Sequence, residues 1–187
     1  MSNGSPARTP SVPATKLGAI AIEGAIGVGK TTLAKKISDT VKCKTLFEDY
    51  VTNPFLKDFY DNNQLNSFST QVHFLLRRLE QSIEVKSTEN LLISDFYFGK
   101  DELFAKLNLT QMEYAMYQEL RKKLDFNPPI PDLIIYLQAP SEILLERIKK
   151  RGLDIERNIK KKYIDSVNEI YMKHFHEYSA SPVLIIN

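Results

Sequence analysis

Ala19-Ile20-Ala21-Ile22-Glu23-Gly24-Ala25-Ile26-Gly27-Val28-Gly29-Lys30-Thr31-Thr32 decides the fold. From Gly24 to Thr31 it fits G-x-x-x-x-G-K-[ST], the spacing of a phosphate-binding loop. An apolar run, Leu17 to Ile22, precedes the loop, and a helical pattern through Leu33, Ala34 and Ile37 follows it. The motif therefore sits in the strand–loop–helix context it requires. Glycines open backbone turns closed to other residues, so successive N–H groups can face an anion, and the following helix N-terminus adds partial positive charge. Gly24, Ala25, Ile26, Gly27, Val28, Gly29, Lys30, Thr31 and Thr32 form the candidate triphosphate cradle. Lys30 is placed to reach the terminal phosphates and the Thr31 hydroxyl to ligate Mg²⁺.

The rest of the composition narrows the class. A chain of 187 residues fits one domain with a sizeable core. Its 25 basic and 23 acidic residues leave +2, too balanced to make nucleic acid the main partner. Cys43 stands alone, which excludes an intramolecular disulfide and a cysteine-based zinc site. No apolar run approaches the roughly 18 residues of a membrane span. Residues 1–16, with Pro6, Pro10 and Pro13, read as a flexible tail ahead of one domain over 17–187. Arg8 and Lys16 faintly echo a transit peptide, but no amphipathic pattern supports it, so the expected location is cytoplasmic.

Two further apolar runs, Leu91 to Ser94 and Leu133 to Leu137, resemble buried strands of a parallel sheet, with a shorter strand over Lys44 to Glu48 and a last strand over Pro182 to Ile186. The expected fold is α/β: a five-stranded parallel sheet flanked by helices in three layers. Glu48 and Asp95 each stand at a strand's carboxyl end, where such sheets place ligands. Asp95 can orient Mg²⁺ in the manner of a Walker-B acid. Leu65, Phe68, Val72, Leu75, Leu76, Leu79 and Ile83 predict one apolar face of a long helix. Gln71 and Arg78 share another face, either as readers of a base edge or as plain polar residues of an amphipathic helix. His73 reads as structural. Asp101 is a candidate first-turn acid of the next helix, and Met112, Tyr114, Met116 and Tyr117 read as core or subunit contact. The basic stretch Glu146-Arg147-Ile148-Lys149-Lys150-Arg151-Gly152 has three readings, a solvated face, a nucleic-acid patch or a lid over phosphates; the charge balance argues against the second, and its place late in the domain with Gly152 as a hinge favours the third.

In this order the pieces resemble the deoxynucleoside kinase family, most closely its bacterial deoxyadenosine/deoxyguanosine kinase branch, over residues 18 to 186. Besides the loop, the resemblance rests on Glu48 with Asn53-Pro54-Phe55-Leu56, Gln71 with Phe74-Leu75-Leu76-Arg77-Arg78, Ser94-Asp95 with Lys100-Asp101, Pro131-Asp132 opening a strand, and the basic lid with Glu156. It implies transfer of the γ-phosphoryl of ATP to the 5′-hydroxyl of a purine deoxynucleoside, with deoxycytidine as a further acceptor, and Mg²⁺ as cofactor. By the same resemblance Glu48 is the general base, Tyr60 and Glu156 hold the sugar 3′-hydroxyl, and Gln71, Arg78 and Asp101 read the base. Arg147 and Arg151 then join Lys30 in neutralising the transferring phosphate, Thr31 and Asp95 hold the metal, and the protein is a homodimer joined through helices. Two positions depart from the family pattern: Phe96 and Leu153 stand where many members carry arginine. The alternatives are a nucleoside monophosphate kinase of thymidylate-kinase type and a catalytically weak nucleotide-binding regulatory protein.

Overall fold

The computed structural model describes residues 18–62, 65–86 and 90–187, so the expected tail over 1–16 lies outside the described residues. Chain order is β1 (Ala19–Gly24), α1 (Lys30–Val41), β2 (Lys44–Leu46), α2 (Leu56–Asn62), α3 (Ser67–Lys86), β3 (Leu92–Ser94), α4 (Lys100–Asn108), α5 (Gln111–Lys123), β4 (Leu133–Leu137), α6 (Ser141–Arg151), a 3-10 turn (Asp154–Glu156), α7 (Lys161–Glu177) and β5 (Val183–Ile186). The strands form one parallel sheet in the order β2-β3-β1-β4-β5. Asp132 ties the starts of two central strands together, its Oδ2 accepting from the N–H groups of Gly18 and Ala19 at 2.8 Å each.

Successive residues of a strand face opposite sides of the sheet; both sides of β1, β3 and β4 are packed, whereas Leu184, Ile185 and Ile186 of the edge strand β5 are exposed. Ala21, Ile134 and Tyr136 belong to a core with residues of α6 and α7. Their neighbours Ile22, Ile93 and Ile135 pack on Ala34 of α1 across the sheet. A third cluster joins Leu75 of α3, Phe96, Ala105 and Tyr117 beside β2 and β3. That is the expected three-layer α/β architecture.

A capping box at Thr110, whose side chain accepts from the Glu113 N–H and whose own N–H donates back to Glu113, starts α5 as a separate helix after α4. In α3 the buried stripe differs from the apolar one: Leu65, Leu76 and Ile83 are exposed, while Ser67, Gln71, Leu75, Arg78 and Ser82 are buried. These five follow helical spacing as regularly as the leucines do. The polar residues of this face have partners there: Gln71 and Arg78 bond Asp101, and the Ser82 hydroxyl donates to the Leu79 carbonyl, while Leu75 joins the core.

Candidate active site

The cleft lies at the carboxyl ends of β1, β2 and β3. Gly24 and Gly27 carry φ of +145° and +84°. A side chain at Gly27 would meet the Leu144 carbonyl oxygen at 2.9 Å, so the backbone there has no room for one. The buried Glu23 pins the loop to its surroundings. Its Oε1 accepts from the Gly24 N–H and the Tyr171 hydroxyl, and its Oε2 from the Tyr97 N–H, all at 2.9 Å. Lys30 folds back on the loop, its Nζ donating to the Gly24 and Ala25 carbonyls at 2.7 and 3.2 Å. Burial, and then the nearby Lys100 ammonium, lower the Lys30 pKa.

From the loop a chain of polar contacts runs along the cleft floor. The Thr31 hydroxyl donates to Asp95 Oδ2. Asp95 Oδ1 accepts from the Glu48 N–H at 2.8 Å. β2 stops at Leu46, so Glu48 lies beyond the strand rather than in it. Its carboxylate is gripped twice, by Arg78 Nη2 at 2.6 Å and by Lys100 Nζ at 2.7 Å. Burial alone would push the Glu48 carboxyl up, but the two cations outweigh it and hold it down to about 2. Arg78 reaches onward with Nη1 to Asp101 Oδ1 at 2.5 Å. Gln71 Nε2 donates to the Asp101 carbonyl at 2.8 Å and to its Oδ1 at 3.1 Å, and the Tyr117 hydroxyl donates to Oδ2.

These groups enclose a cleft of about 720 Å³. Among the residues singled out from sequence, Glu48, Tyr60, Gln71, Arg78, Asp95, Arg147, Arg151 and Glu156 line it, with Gly24 and the loop from Ile26 to Thr32. Ala25 and Asp101 do not: Ala25 joins the core, and Asp101 is fully buried behind Gln71 and Arg78. Opposite, Arg147 Nη1 donates to the Val28 carbonyl at 3.0 Å, and Arg151 forks onto Glu156 with Nη2–Oε1 and Nη2–Oε2 distances of 2.6 Å. Tyr60 packs edge-on to Tyr163, and burial raises its hydroxyl pKa well above the ordinary value, so it remains a donor.

Sequence reasoning gave no role to Lys100, Tyr50 or Thr70, which also line the cleft. The Thr70 hydroxyl is buried and has no hydrogen-bond partner among the described residues. Phe96 is completely buried, edge-on to Phe98 at 5.1 Å, and is a core residue. No group of three or more His, Cys, Asp or Glu residues with metal-binding geometry occurs among the described residues. The Thr31–Asp95 hydroxyl–carboxylate pair nevertheless suits Mg²⁺, a hard cation usually held by one or two protein oxygens, substrate phosphates and water.

A family model described as deoxynucleoside kinase matches residues 20–187. The chain is 35% identical over 175 residues to deoxyguanosine kinase of Bacillus subtilis, covering 89% of this chain and 83% of the relative. It is 34% identical over 174 residues to deoxyadenosine kinase of Dictyostelium discoideum, covering 90% and 71% respectively. Among solved structures, deoxyadenosine kinase from M. mycoides with bound dATP superimposes with a TM-score of 0.81 at 26% identity, covering 90% of each chain.

Proposed function

Because the chain belongs to the deoxynucleoside kinase family, we propose that it transfers the γ-phosphoryl of ATP to the 5′-hydroxyl of a purine deoxynucleoside. Relatives acting on deoxyguanosine, on deoxyadenosine and on both deoxyadenosine and deoxycytidine support that acceptor class. The observation that carries the reading is one cleft that holds both the phosphate cradle and the Glu48 carboxylate.

The loop N–H groups and Lys30 bind the triphosphate, and Lys30 exchanges its two carbonyl partners for phosphate oxygens. Thr31 and Asp95 would hold Mg²⁺, which would supply charge neutralisation on the transferring phosphate. Gln71 and Arg78 meet the base, with Asp101 acting through them. Both Nε2 contacts of Gln71 go to Asp101, which fixes the amide so that its oxygen remains for the base. Tyr60 and Glu156 take the sugar 3′-hydroxyl, and Glu48 takes the 5′-hydroxyl proton. Arg78 moving from Glu48 toward the base would leave that carboxylate one cation fewer and make it a better base. Arg147 and Arg151 close the lid, hold the phosphoryl oxygens and keep out water.

No helix among the described residues is long and apolar enough to cross a membrane; a cytoplasmic location fits this reading. The packed pair α3 and α5 leave Leu76, Ile83, Met112 and Met116 exposed, which supports a homodimer through these helices. ATP with each of the four deoxynucleosides and their monophosphates tests the function. Product is expected from deoxyadenosine or deoxyguanosine and none from monophosphates, whose charge Glu48 would repel. Phosphorylation confined to monophosphates would overturn the assignment, and ATP binding without transfer to any acceptor would favour a regulatory role.

A further inference from the structure

Lys100 is the first residue of α4, and its ammonium is carried into the cleft rather than out to solvent. The side chain is only 7% exposed, with Nζ 2.7 Å from Glu48 Oε2. Nζ also stands over the Phe104 ring, 5.5 Å from its centroid. A buried ammonium is costly unless it has a charged partner. Arg78 reaches the other oxygen of Glu48 at 2.6 Å but is shared with Asp101, which it meets at 2.5 Å. The two cations thus balance two carboxylates, and it is the Lys100 ammonium, with three N–H groups and one hydrogen-bond partner among the described residues, that has donors to spare in the cleft. The route from that loop is short: Thr31 bonds Asp95, Asp95 bonds the Glu48 N–H, and the Glu48 side chain bonds Lys100.

Resting on the kinase reading above, we propose that Lys100 is a further catalytic residue, its ammonium bridging the Glu48 carboxylate and an oxygen of the transferring phosphoryl group. The geometry requires little movement. A 5′-hydroxyl bonded to Glu48 sits within about two hydrogen-bond lengths of Nζ, roughly 5–6 Å at most. The phosphorus it attacks lies on the same side as the loop. In the step, the 5′-oxygen bonds to the γ-phosphorus and the bond to the β–γ bridging oxygen breaks. The hydroxyl proton passes to Glu48 and ADP leaves, while Lys100 keeps its proton. The ammonium pairs with Glu48 before transfer. As negative charge on Glu48 is quenched by the proton, the phosphoryl oxygens become the stronger partner. Lys100 thus acts on the acceptor side of the phosphorus, opposite Lys30 on the donor side.

Steady-state kinetics of Lys100→Met and Lys100→Arg, with nucleoside affinity by calorimetry, test this. Removing a preorganised donor to developing charge costs about 10²–10³ in kcat. Lys100→Met should therefore lose about 10²–10³ in kcat while nucleoside Kd and KM stay within about threefold. Lys100→Arg should recover kcat to within about tenfold of wild type. A Met variant within threefold of wild-type kcat would overturn the proposal. So would equal losses in the two variants, or a loss confined to nucleoside affinity, either of which marks a packing role. A wild-type protein that transfers to no deoxynucleoside fails the kinase reading itself, and that result precedes and is distinct from any difference between variants.

Discussion

Replacing Glu48 by Gln removes the charge while keeping the shape, and the structure gives the size of two separate effects. The carboxyl is held near 2 rather than its ordinary 4.5 by Lys100 and Arg78. That difference corresponds to about 3 kcal/mol of preference for the ionised side chain. Gln mimics the protonated form, so Glu48→Gln should lose about 3 kcal/mol of stability at pH 7, within the range for breaking one partner of a buried ion pair. The sign follows from linkage. A folded-state value below the unfolded one stabilises the native protein above about pH 4.5, and that contribution disappears as pH falls through about 2. Urea unfolding of both proteins between pH 7 and pH 3 should therefore show curves that converge with acid. The chemical effect is independent: at temperatures where both are folded, turnover should fall by about 10²–10⁴ with nucleoside still bound. Equal stability at pH 7 would refute the ion-pair argument, and turnover within threefold of wild type would refute the base assignment.

Other substitutions probe the remaining parts. Gly27→Ala combines a positive φ with a contact at 2.9 Å from the Leu144 carbonyl; ATP affinity by calorimetry should fall at least about tenfold, at a strain of about 1–3 kcal/mol. Thr31→Val should raise the Mg²⁺ concentration for half-maximal activity while leaving deoxynucleoside affinity unchanged. Asp101→Asn, although outside the cleft, frees Arg78 and Gln71, so the nucleoside KM should rise with little change in the KM for ATP. Arg151→Ala removes the fork on Glu156; kcat should drop about 10²-fold in a coupled assay.

What could be read without coordinates was whatever lies within a short stretch of chain. The loop motif, the doubly buried strands and the acids that end them are local patterns, and β1, β3 and β4 follow them. Strand order was not legible, because β1 pairs with β3 and β4 from distant parts of the chain. The buried face of α3 differs from the apolar one for a physical reason: periodicity marks where apolar residues fall, and here Gln71 and Arg78 are drawn inside by Asp101 and Glu48. Pairing through space was equally hidden. Nothing in the order of residues says that Arg78 spans Glu48 and Asp101, that Asp101 withdraws behind its partners, or that Lys100 rather than Phe96 brings charge to the cleft.

That continuous string from Gln71 through Asp101, Arg78 and Glu48 to Asp95 and Thr31 has a cost for anyone wishing to retune the enzyme. Altering acceptor choice at its far end disturbs the reacting end through shared partners, so combined changes should depart from the sum of single ones. On the proposed roles, selectivity and speed would be wired in series, and a library that varies one while holding the other fixed would have few members to find.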